Sequence, residues 1–416
     1  MKKVRFYTTF HKLDLQKYIY IWVPRNQDFA YYFSYFIKHD HSNALVEVEE
    51  VLVPFIDKQK GFLVFKISNK NTDGCSSKKK IFLYAQSDTL AHSCSIVYKE
   101  LCKTSLVRLF FPAYKDEGAQ QYFKDNNLDA EQFSYKKLNF YKPDILILLN
   151  DWSIEAKSII AFCRYLKIST VCIQESIIDF GDKFKRMEHA DSVFMQGIQS
   201  VLDLERKSYY LTGNPRYLLS TNQFPLEVKK ALINSNFTYN IYEEEREKWL
   251  LDITQVLTEH NIDYYISQHP RDLGDLSCYG DKVLLSNSSS IVEQIAKSDI
   301  VITRFSSLIH ESLTQKKKVI YYNPHGENMK YNFRFNNKFL FLCKSIKDIE
   351  NTLTNITTSV MDSEINDYLI CHTRPRNNSP QKNIRNIVYN EYLESKKFTW
   401  RELIDILKFM FLKLRN

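Results

Sequence analysis

Three short stretches in the C-terminal half carry residues suited to holding an anion: Ser267-Gln268-His269-Pro270-Arg271-Asp272, Thr303-Arg304-Phe305-Ser306-Ser307 and Tyr321-Tyr322-Asn323-Pro324. His269 offers an imidazole donor on a backbone that Pro270 stiffens, and Arg271 adds a guanidinium that either supplies charge or pairs with Asp272. Ser306 and Ser307 stand where an apolar run ends and a helical pattern opens. A helix N-terminus presents unpaired N–H groups and partial positive charge, so it suits phosphate, and capping by the same serines is compatible with that. The plain alternative for His269 is a ring that closes a strand on a neighbouring carbonyl. Two anion-binding edges about thirty residues apart in one α/β half form the pattern expected of a nucleotide-sugar site.

Further candidates follow from position. Glu311 lies one turn into the helix after Ser307. Asn234, Ser235 and Asn236 form a polar loop at the end of an apolar strand, where open sheets bind ligands. In the N-terminal half, Glu175 follows the strand Thr170–Ile173, Asp179 is four residues on, and Asp151 ends the preceding strand. A carboxylate here either deprotonates an acceptor hydroxyl or attacks an anomeric carbon, with opposite stereochemical outcomes. The expected order is Glu175, then Asp179, then Asp151, whose helix-capping position already accounts for it. Only nine glycines occur, and neither a GxGxxG nor a GxxxxGK[ST] is present, so a standard dinucleotide fingerprint and a P-loop are both excluded. No DxD pair exists to hold a metal on a diphosphate, and His39-Asp40-His41 reads as a solvated loop. The expectation is therefore no metal and no cofactor.

The elements that must position these residues alternate regularly from Ile81. Strands are expected at Ile81–Tyr84, Val107–Phe111, Asp144–Leu149 and Thr170–Ile173, with helices at Leu90–Leu101 and after Asp151 and Ser153 as caps. Thr212-Gly213-Asn214-Pro215-Arg216 closes this unit as a turn. The second unit has strands at Ala231–Ile233, Tyr264–Ser267, Ile300–Thr303 and Val319–Tyr322. Its helices are expected near Trp249–Leu257, after a capping box of Ser290 and Glu293, and from Leu308. Strands separated by helix-length segments make parallel sheets. The fold class is thus α/β, with two Rossmann-like domains facing a cleft (the GT-B architecture) and a C-terminal amphipathic helix. The expected boundaries are 1–78, an N-terminal subregion with strands near Tyr18–Trp22 and Gly61–Phe65 and a helix over Phe29–Ile37; 79–217, the acceptor domain; 218–375, the nucleotide-sugar domain; and 376–416, C-terminal helices.

His269-Pro270 followed by Ser306-Ser307, with Thr212–Arg216 between the units, resembles the HP and serine motifs of bacterial GT-B transferases that use CMP-sugars. These are the sialyltransferases and polysialyltransferases and the Kdo transferases of capsule and lipopolysaccharide. The resemblance spans roughly residues 140–325, and CDP-glycerol phosphotransferases and UDP-GlcNAc 2-epimerases share parts of it. It implies that His269 contacts the CMP phosphate and assists its departure, that Glu311 meets a ribose, and that an acid near Glu175 acts on the sugar or acceptor. Ser176 stands where the relatives carry a glycine after that acid. The implied activity is transfer of an acidic sugar, Kdo ahead of a sialic-type sugar, to a bacterial glycan or glycolipid acceptor. A UDP-sugar 2-epimerase, a CDP-polyol phosphotransferase and a non-catalytic glycan-assembly subunit are the rivals.

The 416 residues, 44% hydrophobic and 25% charged, are those of an ordinary globular protein with room for two domains. A net charge of +8 suits an acidic ligand or an anionic membrane surface and is too diffuse to call for nucleic acid. Eight scattered cysteines without a CxxC read as reduced thiols of a cytosolic protein, with Cys102, Cys163, Cys172 and Cys343 in apolar runs. Nothing approaches a membrane span. In the tail, Thr399 and Glu402 form a capping box before Trp400, Leu403, Ile404, Leu407, Met410, Phe411 and Leu414, and six basic residues oppose two acidic ones from Lys396 onward. That composition favours an interfacial helix on anionic lipid over one docked on the core, with Phe409 and Leu412 widening its apolar stripe. The expected location is cytoplasmic, peripheral on the inner face of the membrane.

Overall fold

The computed structural model describes residues 20–24, 45–51, 62–68 and 78–415, except 114–115, 178–185, 202–207, 218, 239–240, 288–289, 330, 357–358, 375–378 and 392. The expected helix at 29–37, the His39–His41 loop and Asp179 lie outside these residues. The chain divides into two compact units, residues 1–216 with 370–416 and residues 217–369. The tail that the sequence pattern set apart thus belongs to the first unit, which the chain re-enters at Ile370.

The first unit contains β1 (Tyr20–Pro24), β2 (Leu45–Val51), β3 (Phe62–Ser68), β4 (Lys80–Tyr84), α1 (Asp88–Leu101), β5 (Leu106–Phe111), α2 (Ala119–Asp125), β6 (Ala130–Gln132), α3 (Tyr135–Tyr141), β7 (Ile145–Leu148), α4 (Ile154–Tyr165), β8 (Ser169–Ile173), β9 (Ser192–Met195) and β10 (Ser208–Leu211). Its sheet runs β1-β3-β2-β10-β9-β8-β7-β4-β5-β6. From β10 to β6 all pairs are parallel, and β1–β3 extend the sheet antiparallel beyond β10. Every residue of β7 and β8 is buried, as a strand covered on both faces must be. One face packs on α3 and α4 through Leu138, Ile159, Ile160 and Cys163. The other packs on α1 and α2 through Leu90, Cys94, Val97 and Phe123. Ser153 is the cap of α4, its Oγ accepting from Ala156 N–H. Asp151 is not a cap, because its carboxylate instead accepts the N–H groups of Met187, His189 and Ala190.

The second unit contains β11 (Lys230–Ser235), α5 (Arg246–Glu259), β12 (Asp263–Gln268), β13 (Val283–Leu285), α6 (Ser290–Ala296), β14 (Ile300–Thr303), α7 (Leu308–Thr314), β15 (Lys318–Tyr322), β16 (Leu340–Cys343) and α8 (Ile346–Asn355). Its sheet is wholly parallel in the order β13-β12-β11-β14-β15-β16. That is the doubly wound order, in which the chain starts centrally and reverses direction once; β6-β5-β4-β7-β8-β9 repeats it in the first unit. Trp249 of α5 is fully buried between sheet and helix and spends its indole N–H on the Tyr322 carbonyl, 3.1 Å away. The capping box expected at Ser290 and Glu293 is one turn earlier. Asn287 and Ser290 exchange side-chain-to-backbone bonds, while Glu293 pairs with Lys297.

Three helices complete the chain: α9 (Asp362–His372), α10 (Pro380–Asn390) and α11 (Trp400–Arg415). α10 covers the α1 face with Ile384, Ile387 and Val388, and α11 packs on α4. Phe409 is buried there, so it belongs to the docked side of α11 and does not widen an outer stripe. Thr399 and Glu402 keep half of their box, the carboxylate accepting from Thr399 N–H at 2.6 Å. At Gly197 a Cβ would come within 2.5 Å of the Cys371 carbonyl, so glycine is what lets the returning segment pass close to the end of β9. Among the described cysteines none is bridged. Cys163, Cys172 and Cys343 are buried as expected, but Cys102 is exposed at the end of α1. Among the described residues no helix is long and apolar enough to cross a membrane.

Candidate functional site

Parallel register aligns four strand ends in the second unit: Ser267 pairs with Asn234, Asn234 with Thr303, and Thr303 with Tyr321. The residues that follow, from His269, Asn236, Phe305 and Asn323 onward, therefore leave one carboxyl edge together. The chain reverses between β11 and β14, which makes this edge the switch point of the sheet. β11 runs to Ser235, so Asn234 and Ser235 are strand residues and not loop. Asn234 spends its amide on Thr303 Oγ1 at 2.9 Å, and Ser235 donates to Asp272 at 2.6 Å. Asn236 Nδ2 donates to the Phe305 carbonyl at 3.0 Å, spanning the switch point.

Asp272 organises the histidine loop. Its carboxylate also accepts from Phe237 N–H and Gly274 N–H and is ion-paired with Arg246 at 2.7 Å, with no side-chain exposure. Arg246 is thus the partner, not Arg271, which is exposed. Around this anchor the Asp272 N–H bonds the His269 carbonyl, and the His269 N–H bonds the Ser235 carbonyl. The Arg271 N–H then donates to His269 Nδ1 at 3.1 Å. An Nδ1 that accepts a hydrogen bond leaves the proton of a neutral ring on Nε2, which is the ring's donor. Half-buried His269 is oriented in this way, and Pro270 is exposed beside it.

Ser306 and Ser307 are half-buried at the start of α7. Ser306 Oγ accepts from Leu308 N–H at 3.1 Å, while Ser307, itself in helical conformation, makes no side-chain cap bond. Glu311 is half-buried in the first turn. The sequence pattern passed over two neighbours. Arg304, almost fully buried, is ion-paired with Glu327 at 2.7 Å and lies 4.2 Å over the Phe237 ring. Gly326, at φ +69°, makes the turn that returns Glu327 to this position, and Asn323 bonds both the N–H and the carbonyl of Glu327. Arg246 was hidden because it ends the acidic run Glu243-Glu244-Glu245, which reads as surface charge.

In the first unit Glu175 leaves the end of β8 beside the ends of β9 and β10. Its carbonyl accepts from Asn214 Nδ2 at 2.6 Å, and its carboxylate is 3.4 Å from the Arg216 guanidinium. Gln174 is buried, accepting from Gln196 N–H and donating to Ser200. The switch point of this sheet, between β4 and β7, carries a different set: Gln86 bonds Asn150, Ser153 and Glu155. Nearby, His92 is pushed down to about 4, first by burial and then by the Arg216 charge. A cavity of about 500 Å³ lies instead at the amino ends of β4 and β5. Its Arg108 and Glu131 are paired with each other at 2.7 Å.

No protein-family model and no curated protein matches the sequence. Solved structures do match in fold. A Listeria monocytogenes protein provisionally named a UDP-N-acetylglucosamine 2-epimerase aligns with a TM-score of 0.54 at 11% identity, over 78% of this chain and all of that one. The Methanocaldococcus jannaschii UDP-GlcNAc 2-epimerase in complex with UDP-GlcNAc and UDP aligns at 0.52 and 13% identity, over 75% of this chain and all of that one. The glycotransferase of kitacinnamycin aligns at 0.50 and 9%, over 76% of this chain and all of that one. The chain therefore has the GT-B fold of two Rossmann-like units.

Proposed function

We propose that this protein is a metal-independent glycosyltransferase that takes an acidic sugar, Kdo ahead of a sialic-type sugar, from a CMP-sugar donor to a glycan or glycolipid acceptor. The observation that carries the reading is the pinned imidazole: Arg271 N–H on His269 Nδ1 makes Nε2 the donor at a switch-point edge. A donor fixed before the reaction stabilises charge developing on a departing phosphate without reorganisation. Ser306, Ser307 and Glu311 start the next helix from the same edge, and Asn236 crosses between them and β11. Glu175, with Arg216 beside it, is the carboxylate for the acceptor or sugar, and Asp179 is its rival. The absence of a DxD supports a metal-free phosphate clamp, so activity should survive EDTA.

A second reading, sugar epimerisation, is favoured by two of the fold relatives being named UDP-GlcNAc 2-epimerases. Thermal shifts with CMP, CTP, UMP and UDP decide between them. Ligand at 100 times its Kd stabilises by about 2.7 kcal/mol. A larger shift with CMP and CTP is expected; a preference for UDP would move the assignment to the epimerase, and no shift with any of them would remove both.

A further inference from the structure

We propose that the outward face of α11 is a docking surface for an anionic lipid bilayer. This rests on the first unit alone and is independent of the reaction assigned above. The helix is held from its other side. Glu402 is ion-paired with Arg164 of α4, which also holds Asp191 at 2.7 Å, and just ahead of the helix the rings of Phe398 and Tyr165 meet at 5.8 Å. Two turns on, Phe409 is 7% exposed. Successive helical residues turn by about 100°. Glu402 and Phe409 therefore share one side, and Trp400, Ile404 and Leu407 share the opposite one.

Those three side chains are 84%, 50% and 44% exposed. A helix that served only to cover α4 would carry polar residues there. Its neighbours are cations: Arg401 and Lys408 are exposed along one flank, and Lys396 and Lys397 are exposed just before the helix. The nearby acids are Glu394, exposed upstream, and Asp405, half-buried toward the docked side. An indole and two aliphatic side chains beside basic groups match the boundary between anionic headgroups and acyl chains. A second copy fits less well, because antiparallel two-fold pairing of this face would bring its basic flank against an identical one.

The test is co-sedimentation of the full chain with vesicles of phosphatidylglycerol and phosphatidylcholine, and with phosphatidylcholine alone. Binding is expected to the former only, and to weaken with salt. A Trp400→Ser/Ile404→Ser variant should lose affinity by about tenfold or more, and Arg401→Glu/Lys408→Glu should lose it as well. Both variants keep the Arg164–Glu402 anchor, so each should melt with the native chain. In a difference spectrum against Trp400→Phe, Trp400 emission should shift to the blue on anionic vesicles. The proposal is overturned if the native chain binds neither vesicle or both equally. It is also overturned if the Trp400 variant binds undiminished, or if its effect is to convert a native dimer to monomer.

Discussion

The carboxyl edges of the two sheets are built from the same strand order and wired in opposite ways. In the second unit, buried Asp272 gathers Ser235, Phe237 N–H, Gly274 N–H and Arg246, and Arg304 and Glu327 close a second buried pair. In the first unit, the tied-down acid at that edge, Asp151, accepts the backbone N–H groups of Met187, His189 and Ala190. Glu175 keeps one ion pair, at 3.4 Å and partly exposed. A carboxylate consumed by backbone N–H groups is a structural part, whereas one with a single long ion pair retains lone pairs for a substrate. The second edge is thus tied down by buried ion pairs, and the first leaves Glu175, its reserve acid, with a single longer one.

The largest expected effect tests that contrast directly. Removing Asp272 takes from largely buried Arg246 its short partner and leaves only Glu243, at 3.9 Å, so Asp272→Ala should cost the second unit roughly 3–5 kcal/mol. Glu175→Ala loses a single ion pair at 3.4 Å and no side-chain hydrogen bond, so it should cost the first unit less than Asp272→Ala costs the second. Urea unfolding followed at Trp249 and at Trp152 separates the units, and equal losses would erase the distinction. Next, His269→Ala should lower turnover about 10²–10³-fold, as loss of one transition-state donor does. Glu175→Gln should be as damaging while nucleotide affinity is kept. If Asp179→Asn abolishes turnover and Glu175→Gln does not, the reserve carboxylate is Asp179.

Acid sharpens the comparison further. His310 of the second unit sits among the rings of Tyr217, Tyr331, Phe333 and Tyr368, and burial pushes it down to about 3. His92 of the first unit is pushed down to about 4. In both cases the unfolded chain binds the proton more tightly. The stabilisation is therefore complete above the ordinary histidine pKa of about 6.5 and is lost as pH falls toward the folded values. Each group can contribute a slope of up to about 1.4 kcal/mol per pH unit in its window. His310→Phe should flatten the pH dependence read at Trp249 and leave that at Trp152 unchanged. The smallest effect should be the same in both units: Ser153→Ala and Ser345→Ala each remove a helix cap worth about 1 kcal/mol, measured as a shift in the unfolding midpoint.

Much of this protein was legible from local chemistry. Four-residue apolar runs such as Ile145–Leu148 can only be buried strands when helix-length segments flank them, so both Rossmann-like units and the positions of His269, Ser306 and Glu175 at strand or helix ends follow from periodicity. Partner choice did not follow, because it depends on groups far apart in sequence. Asp272 takes Arg246 rather than adjacent Arg271, Asp151 takes loop N–H groups more than thirty residues away rather than capping α4, and Glu327 reaches Arg304 through a turn at Gly326. The tail shows the same division. Its amphipathic helix is written in the sequence, but a helical wheel does not say which face is covered. Only the packing of α11 on α4, fixed by Arg164 and Glu402, turned Phe409 inward and left Trp400 outward.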